Sequence, residues 1–115
     1  MPKRSESDGL RLFGAPARSR ALLAIALLEQ TYLRELSRIA GVSFQSIVRI
    51  VDDLQEQGVV STLMRGPQRI VTLNPSFFAY REVRDLLLRL APTEPRMVKT
   101  IEDLRRRPRR RTKEV

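Results

Sequence analysis

The apolar residues in the first half of this 115-residue chain recur every three or four positions, which is the period of amphipathic helices. An Ala- and Leu-rich stretch predicts a first helix over residues 17–30, and a single apolar stripe predicts a second helix over residues 34–40. Gly41 suits the left-handed position that ends a helix, and Ser43 is a favourable N-cap for a third helix over residues 44–57.

Beyond the third helix the residue pattern becomes that of β-strands. Residues 59–64 and 69–73 are rich in Val, Ile and Thr, and a Gly-Pro pair between them favours a turn, so these segments predict a β-hairpin. A fourth helix is predicted over residues 77–90, and residues 97–104 allow two further helical turns. The predicted fold class is therefore mainly α-helical with a small β-hairpin.

The chain divides into one predicted domain and two polar ends. Residues 1–9 predict a disordered lead-in, residues 10–90 hold the predicted helices and hairpin, and residues 91–115 form a Pro-containing extension with a polybasic tail. Residues 105–115 carry seven basic residues and one acid, so we expect no buried structure from Arg105 onwards.

The residue types that are missing exclude several classes of function. The chain has no Cys and no His, which excludes disulfides, thiol switches, Cys- or His-ligated metal sites and a His general base. The adjacent carboxylates Asp52 and Asp53 point about 100° apart on a helix, so they do not share one site. We therefore predict that the protein is not an enzyme and holds no cofactor or metal.

The net charge of +9 favours a polyanionic partner, which on charge alone is DNA, RNA or an acidic membrane surface. No apolar run is long enough for a transmembrane helix, and the charged N-terminus does not resemble a signal peptide. We therefore predict a cytoplasmic protein that has no membrane partner.

The order of the predicted elements is that of a winged helix-turn-helix domain. Residues 33–60, LRELSRIAGVSFQSIVRIVDDLQEQGVV, resemble the core of the bacterial and archaeal ArsR/MarR-type winged-helix regulators. The resemblance implies binding to double-stranded DNA and regulation of transcription, most simply repression. The resemblance does not identify the operator or a small-molecule effector, and it does not show whether the protein represses or activates transcription.

A narrower resemblance suggests an alternative function. Residues 12–14 with Arg18, residues 32–36 and residues 74–78 are similar to the winged-helix module that is often fused to minimal nucleotidyltransferase domains. In this alternative the protein is an adaptor, and its partner is a separately encoded protein such as a nucleotidyltransferase or a toxin.

Helical geometry selects candidate base-reading residues on the third helix. With the apolar stripe centred on Ile47, the opposite face presents Gln45, Val48 and Arg49, and Phe44 lies at the edge. A recognition helix enters the major groove with its N-terminal half, where Gln can pair with adenine and Arg with guanine. Phe44 either contacts a thymine methyl group or packs against the second helix or the hairpin.

Other residues are predicted to contact the DNA backbone. Ser43 and Ser46 lie at the N-terminus of the third helix, where phosphates bind favourably. Arg34 and Arg38 lie on the outer side of the second helix, where they either contact phosphates or only keep the helix solvated.

The hairpin, or wing, carries Arg65 and Arg69 beside its turn. These residues either contact the flanking minor groove and phosphates or protect a strand edge from aggregation. By contrast, Asp52, Asp53 and Glu56 would repel phosphates, so the C-terminal half of the third helix is predicted to angle away from the DNA.

The fourth predicted helix carries a broad apolar stripe of the coiled-coil kind. Since related regulators often dimerise through this helix, the resemblance implies a homodimer whose two-fold axis passes near Leu87, with burial in the domain's own core as the alternative. The predicted dimerisation residues are Phe77, Tyr80, Val83, Leu87 and Leu90.

Overall fold

A computed structural model of the protein describes residues 13–106. The predicted lead-in, residues 1–9, and residues 107–115 of the predicted polybasic tail lie outside this range. Within the range, no helix is long and apolar enough to cross a membrane. The elements are α1 (Pro16–Leu28), β1 (Thr31–Tyr32), α2 (Leu33–Ala40), α3 (Phe44–Glu56), β2 (Val60–Arg65), β3 (Gln68–Leu73), α4 (Tyr80–Leu90) and α5 (Pro95–Arg106).

Helix α1 is the central element of the domain. It starts with Pro16, whose fixed φ and missing N–H suit the first helical position, and its residues 21–26 are all buried. Glu29 ends the helix with φ 69°, and its N–H donates to the Ile25 carbonyl. Because Glu29 turns the chain into β1, the helix stops two residues earlier than predicted.

Helices α2 and α3 form the predicted helix-turn-helix. Gly41 takes the left-handed conformation at φ 72° after α2, and the Ser43 hydroxyl accepts the backbone N–H of Ser46 at 3.1 Å as the N-cap of α3. Leu36 from α2 and Ile47 from α3 are fully buried. Both helix boundaries are therefore close to the prediction.

The hairpin is part of a three-stranded antiparallel sheet with the order β1-β3-β2. Strands β2 and β3 pair along their whole length, from Val60 opposite Leu73 to Arg65 opposite Gln68, so the turn between them has only two residues. Thr31 pairs with Val71, which makes a short strand of the segment that the sequence indicated only as an extended link. This fold confirms the predicted class, mainly α-helical with a small β-sheet.

The segment between β3 and α4 delays the start of α4 until Tyr80. The Asn74 side chain donates to the Gly58 carbonyl at 2.9 Å and accepts the backbone N–H of Ser76 at 3.0 Å. Because these bonds hold a turn after β3, helical structure over 77–79 is not formed, contrary to the prediction.

The apolar stripe of α4 packs into the domain's own core. Leu87 is fully buried, and Tyr80, Val83 and Leu90 are half-buried against the same core, while the half-buried Phe77 lies over Gly58. For Leu87 the structure shows the core alternative, because α4 packs against α1 and leaves that side chain no exposed surface. The homodimer and its two-fold axis stay predictions.

Helix α5 extends the domain beyond its predicted end at residue 90. Met97 and Ile101 are buried, and the helix packs against α1 and α2. Arg105 and Arg106 belong to this helix, and the Arg105 guanidinium donates to the Leu28 carbonyl at 2.8 Å. For Arg105 and Arg106 the expectation of no structure is corrected, since the C-terminus of α1 offers a carbonyl acceptor there. The rest of that expectation concerns residues outside the described range.

We expect Leu87→Ala to lower the free energy of unfolding by about 2–5 kcal/mol, because truncation leaves a cavity in a close-packed core. Leu86→Ala is the matched control: its side chain is 41% exposed, so the loss should stay below about 1 kcal/mol. Urea unfolding followed by circular dichroism measures both values, and equal small losses would contradict the core role of Leu87.

Candidate nucleic-acid interface

The N-terminal half of α3 presents an exposed polar face. Gln45 and Arg49 are exposed on the side opposite the fully buried Ile47, and within residues 13–106 no hydrogen bond or ion pair engages their side chains. Their donors and acceptors are thus available to a ligand. Val48 is half-buried against the core and faces outward less than predicted.

Phe44 lies at the exposed start of α3 and is covered by an arginine of α2. Its ring is 40% exposed, and the Arg34 guanidinium carbon lies 5.0 Å from the ring centroid, at cation–π distance. The ring therefore packs against Arg34 of α2 on one side and is partly exposed on the other, so the DNA contact of Phe44 stays a prediction. The stack holds Arg34 over the ring and leaves the edges of the guanidinium free to donate.

A shallow basic hollow lies beside this stack, between α2 and the N-terminus of α3. The positive end of the α3 dipole adds to the charge of its arginines, so the hollow suits an anion. The Ser43 hydroxyl donates to the Ser46 hydroxyl at 3.0 Å as well as capping α3, which ties its polar atoms to the helix. The hollow is lined by Arg34, Ser37, Arg38, Gly41, Val42 and Ser43.

Two carboxylates in the C-terminal half of α3 are paired with arginines from other elements. Arg18 of α1 lies 2.7 Å from an Asp53 oxygen, and Arg69 of β3 lies 2.7 Å from an Asp52 oxygen. The sequence predicted that these acids would repel phosphates. The ion pairs reduce that repulsion, and Glu56 stays exposed farther along the helix.

Besides the Arg69–Asp52 pair, the wing is bonded to α3 through Gln55. The Gln55 side-chain oxygen accepts from the Thr62 hydroxyl at 2.6 Å and from Arg69 at 3.1 Å. Arg69 therefore bonds to α3 with the group that the sequence assigned to DNA contact. Arg65 is exposed next to the turn and makes no such bond within residues 13–106.

Sequence reasoning missed this fastening because its partners are distant along the chain. Asp52 and Arg69 are 17 positions apart, and no local pattern joins a helix position to a strand position at that spacing. The only signal in the sequence was opposite charge: Arg69 follows the turn by two residues, and the C-terminal half of α3 carries acidic residues.

Comparison with known proteins decides the type of fold. No family model matches the sequence, and no curated protein matches it. Among solved structures, a MarR-family transcriptional regulator from Silicibacter pomeroyi is similar, with a TM-score of 0.62 and 26% sequence identity. The match covers 80% of this chain and 66% of the regulator, slightly less than two thirds of its length. This chain has the winged helix-turn-helix fold of the MarR-family regulators.

Two further solved structures share this fold. A probable transcriptional regulator from Pseudomonas aeruginosa has a TM-score of 0.59 and 19% identity, over 86% of this chain and 79% of that one. The M. tuberculosis regulator MosR, solved in complex with DNA, has a TM-score of 0.50 and 20% identity, over 86% and 80%. The narrower resemblance to nucleotidyltransferase-fused modules stays a prediction.

A double-mutant cycle tests the fastening of the wing. Asp52→Asn and Arg69→Gln should show a coupling free energy of about 0.2–1 kcal/mol, the size measured for partly exposed ion pairs. Asp52→Asn combined with Arg65→Gln is the matched control and should show coupling near zero. Urea unfolding gives these energies, and coupling as large in the control cycle would contradict the specific Arg69 contact.

Proposed function

We propose that this MarR-like protein binds double-stranded DNA with sequence specificity through α3 and regulates transcription, most simply as a repressor. The observation that carries the proposal is the exposed pair Gln45 and Arg49, whose polar groups are unengaged on the outward face of α3. The regulators with the same fold, including one solved in complex with DNA, support a DNA-binding role.

The side chains on the outward face suit base edges in the major groove. Gln45 has the paired donor and acceptor that match adenine, and Arg49 has the parallel donors that match guanine. The exposed edge of Phe44 is apolar and suits a thymine methyl group. These three residues are the proposed base-reading set, and the half-buried Val48 packs partly against the core.

The basic hollow suits the DNA backbone. Arg34 and Arg38 supply charge, and the N-terminus of α3 supplies backbone N–H groups with a positive dipole. The Ser46 hydroxyl lies next to these groups, whereas Ser43 mainly caps the helix. Contacts of this kind orient the protein on the duplex and leave base choice to Gln45 and Arg49.

We further propose that the protein binds DNA as a homodimer. One winged helix reads only a few base pairs, and higher specificity comes from two half-sites related by a two-fold axis. Leu87 itself is buried, so a surface beside it or elsewhere on the domain would join the copies. A largely apolar groove beside α1 and α5 supports this role, with Leu27, Val98 and Ile101 among its lining residues.

Selection of bound fragments from random double-stranded DNA tests the proposed function. We expect an enriched sequence with two inverted half-sites about 10 base pairs apart, one helical turn. Folded protein that enriches no sequence and has no affinity for duplex DNA at low salt would contradict the proposal. That result would favour the adaptor function.

Arg49→Ala should weaken binding to the selected sequence by about 1–3 kcal/mol and relax selectivity at one base pair, because a bidentate contact to guanine is lost. Arg89→Ala, which removes an exposed arginine from α4, is the matched control. Fluorescence anisotropy on selected and random duplexes measures the change. An equal loss on both duplexes would show that Arg49 contacts only phosphates.

A further inference from the structure

The wing exposes two large apolar side chains near its tip. Leu63 and Met64, at the end of β2, are each 60% exposed. Exposed apolar residues on a strand favour aggregation, and hairpin edges are usually protected by charges. The core of this domain therefore does not account for the two side chains, and their exposure points to a ligand.

The two side chains lie on opposite faces of the wing. Met64 pairs with Arg69, which bonds to α3, so Met64 lies on the face turned towards α3. Leu63 pairs with Ile70 and lies on the other face. A flat protein partner would cover one face of the hairpin, whereas a groove encloses both faces.

We propose that Leu63 and Met64 form an apolar wedge that enters the DNA minor groove beside the α3 site and bends the duplex. This proposal rests on the proposed function. Leu and Met are among the side chains that DNA-bending proteins insert at base steps in the minor groove. The groove is about 6 Å wide, and a hairpin with side chains on both faces is broader, so entry must widen the groove and bend the DNA.

The residues around the wedge place it on the same side of the domain as the outward face of α3, where both can contact one duplex. The exposed Arg65 follows Met64 directly and supplies positive charge at the tip. At the base of the wing, Thr62 and Arg69 are bonded to Gln55 of α3, which fixes the distance between wedge and reading helix. The wedge should therefore meet the duplex at a fixed offset from the α3 site and prefer deformable TA or CA/TG steps there.

Energy transfer between dyes on the two ends of a duplex tests the wedge. The probe is the strongest sequence that wild-type protein selects from random DNA, cut to about 25 base pairs, so that the end dyes stay within energy-transfer range and the duplex is well below the persistence length of about 150 base pairs. Wild-type protein should shorten the distance between the ends. The double variant Leu63→Thr/Met64→Thr keeps residues that suit a strand and should lose this bend.

The double variant should also bind at least roughly tenfold more weakly, since burial of apolar side chains contributes on that scale. Its salt dependence should be unchanged, because no phosphate contact is removed. Arg65→Ala should keep the bend and reduce the salt slope by about one. Leu86→Thr, a 41% exposed leucine of α4, is the matched control and should change neither property.

Replacing the flanking steps of the probe by a stiff A-tract gives an independent measurement. Wild-type protein should lose affinity on the A-tract probe, and the double variant should not distinguish the two probes. Binding by wild-type protein without bending, or full bending by the folded double variant, overturns the wedge. Loss of self-association in that variant with unchanged bending also overturns it and assigns the residues to a contact between copies.

The experiments give one result if the protein does not bind DNA and another if only the wedge is wrong. Wild-type protein that is folded by circular dichroism and binds no duplex at low salt contradicts DNA binding itself. Wild-type protein that binds a selected sequence through Arg49 but does not bend it leaves DNA binding intact and overturns only the wedge.

Discussion

Burial of the middle of α1, residues 21–26, is the constraint on which the rest of the structure depends. Leu23, Ala24 and Ile25 occupy successive positions around this helix and are all fully buried, so no single neighbour can cover it. Helices α2, α4 and α5 and strand β3 each pack against it. This requirement explains why Leu87 of the α4 stripe is buried within one chain. It also explains why α5 turns back onto the domain instead of leading directly into a solvated basic segment.

Arginine side chains also stabilise the fold, because they donate hydrogen bonds to backbone carbonyl groups and form ion pairs with carboxylates. Arg20 donates to the Ala40 carbonyl at 2.9 Å, and Arg105 donates to the Leu28 carbonyl, so the ends of α2 and α1 both gain donors. Arg18 and Arg69 pair with the acids of α3. Part of the basic composition therefore supports the fold, and the net charge overstates the charge that is free to meet a polyanion.

Much of the fold could be predicted from the sequence because its signals are local. Gly41 and Ser43 set the helix-turn-helix through backbone conformation and capping within a few residues. The features that were missed depend on distant contacts: Arg105 meets Leu28 across 77 positions, and an apolar stripe looks the same whether it faces its own core or a second copy. The exposure of Arg49 could be predicted because it depends on local helical geometry. The bonds of Arg69 could not be predicted because they join residues that are distant along the chain.

The bonds at Gln55 have a consequence for how two grooves of a duplex would be read. Gln55 lies on α3 and accepts from both Thr62 and Arg69, one on each strand of the wing. Displacing the wing would therefore break bonds to both strands at once, which couples the orientation of the hairpin to that of the helix. If α3 and the wing both contact DNA, this coupling disfavours separate adjustment of the helix and the hairpin. A preferred DNA site should therefore combine a base sequence that suits α3 with a deformable step in the flanking minor groove. The protein sets the separation between the two.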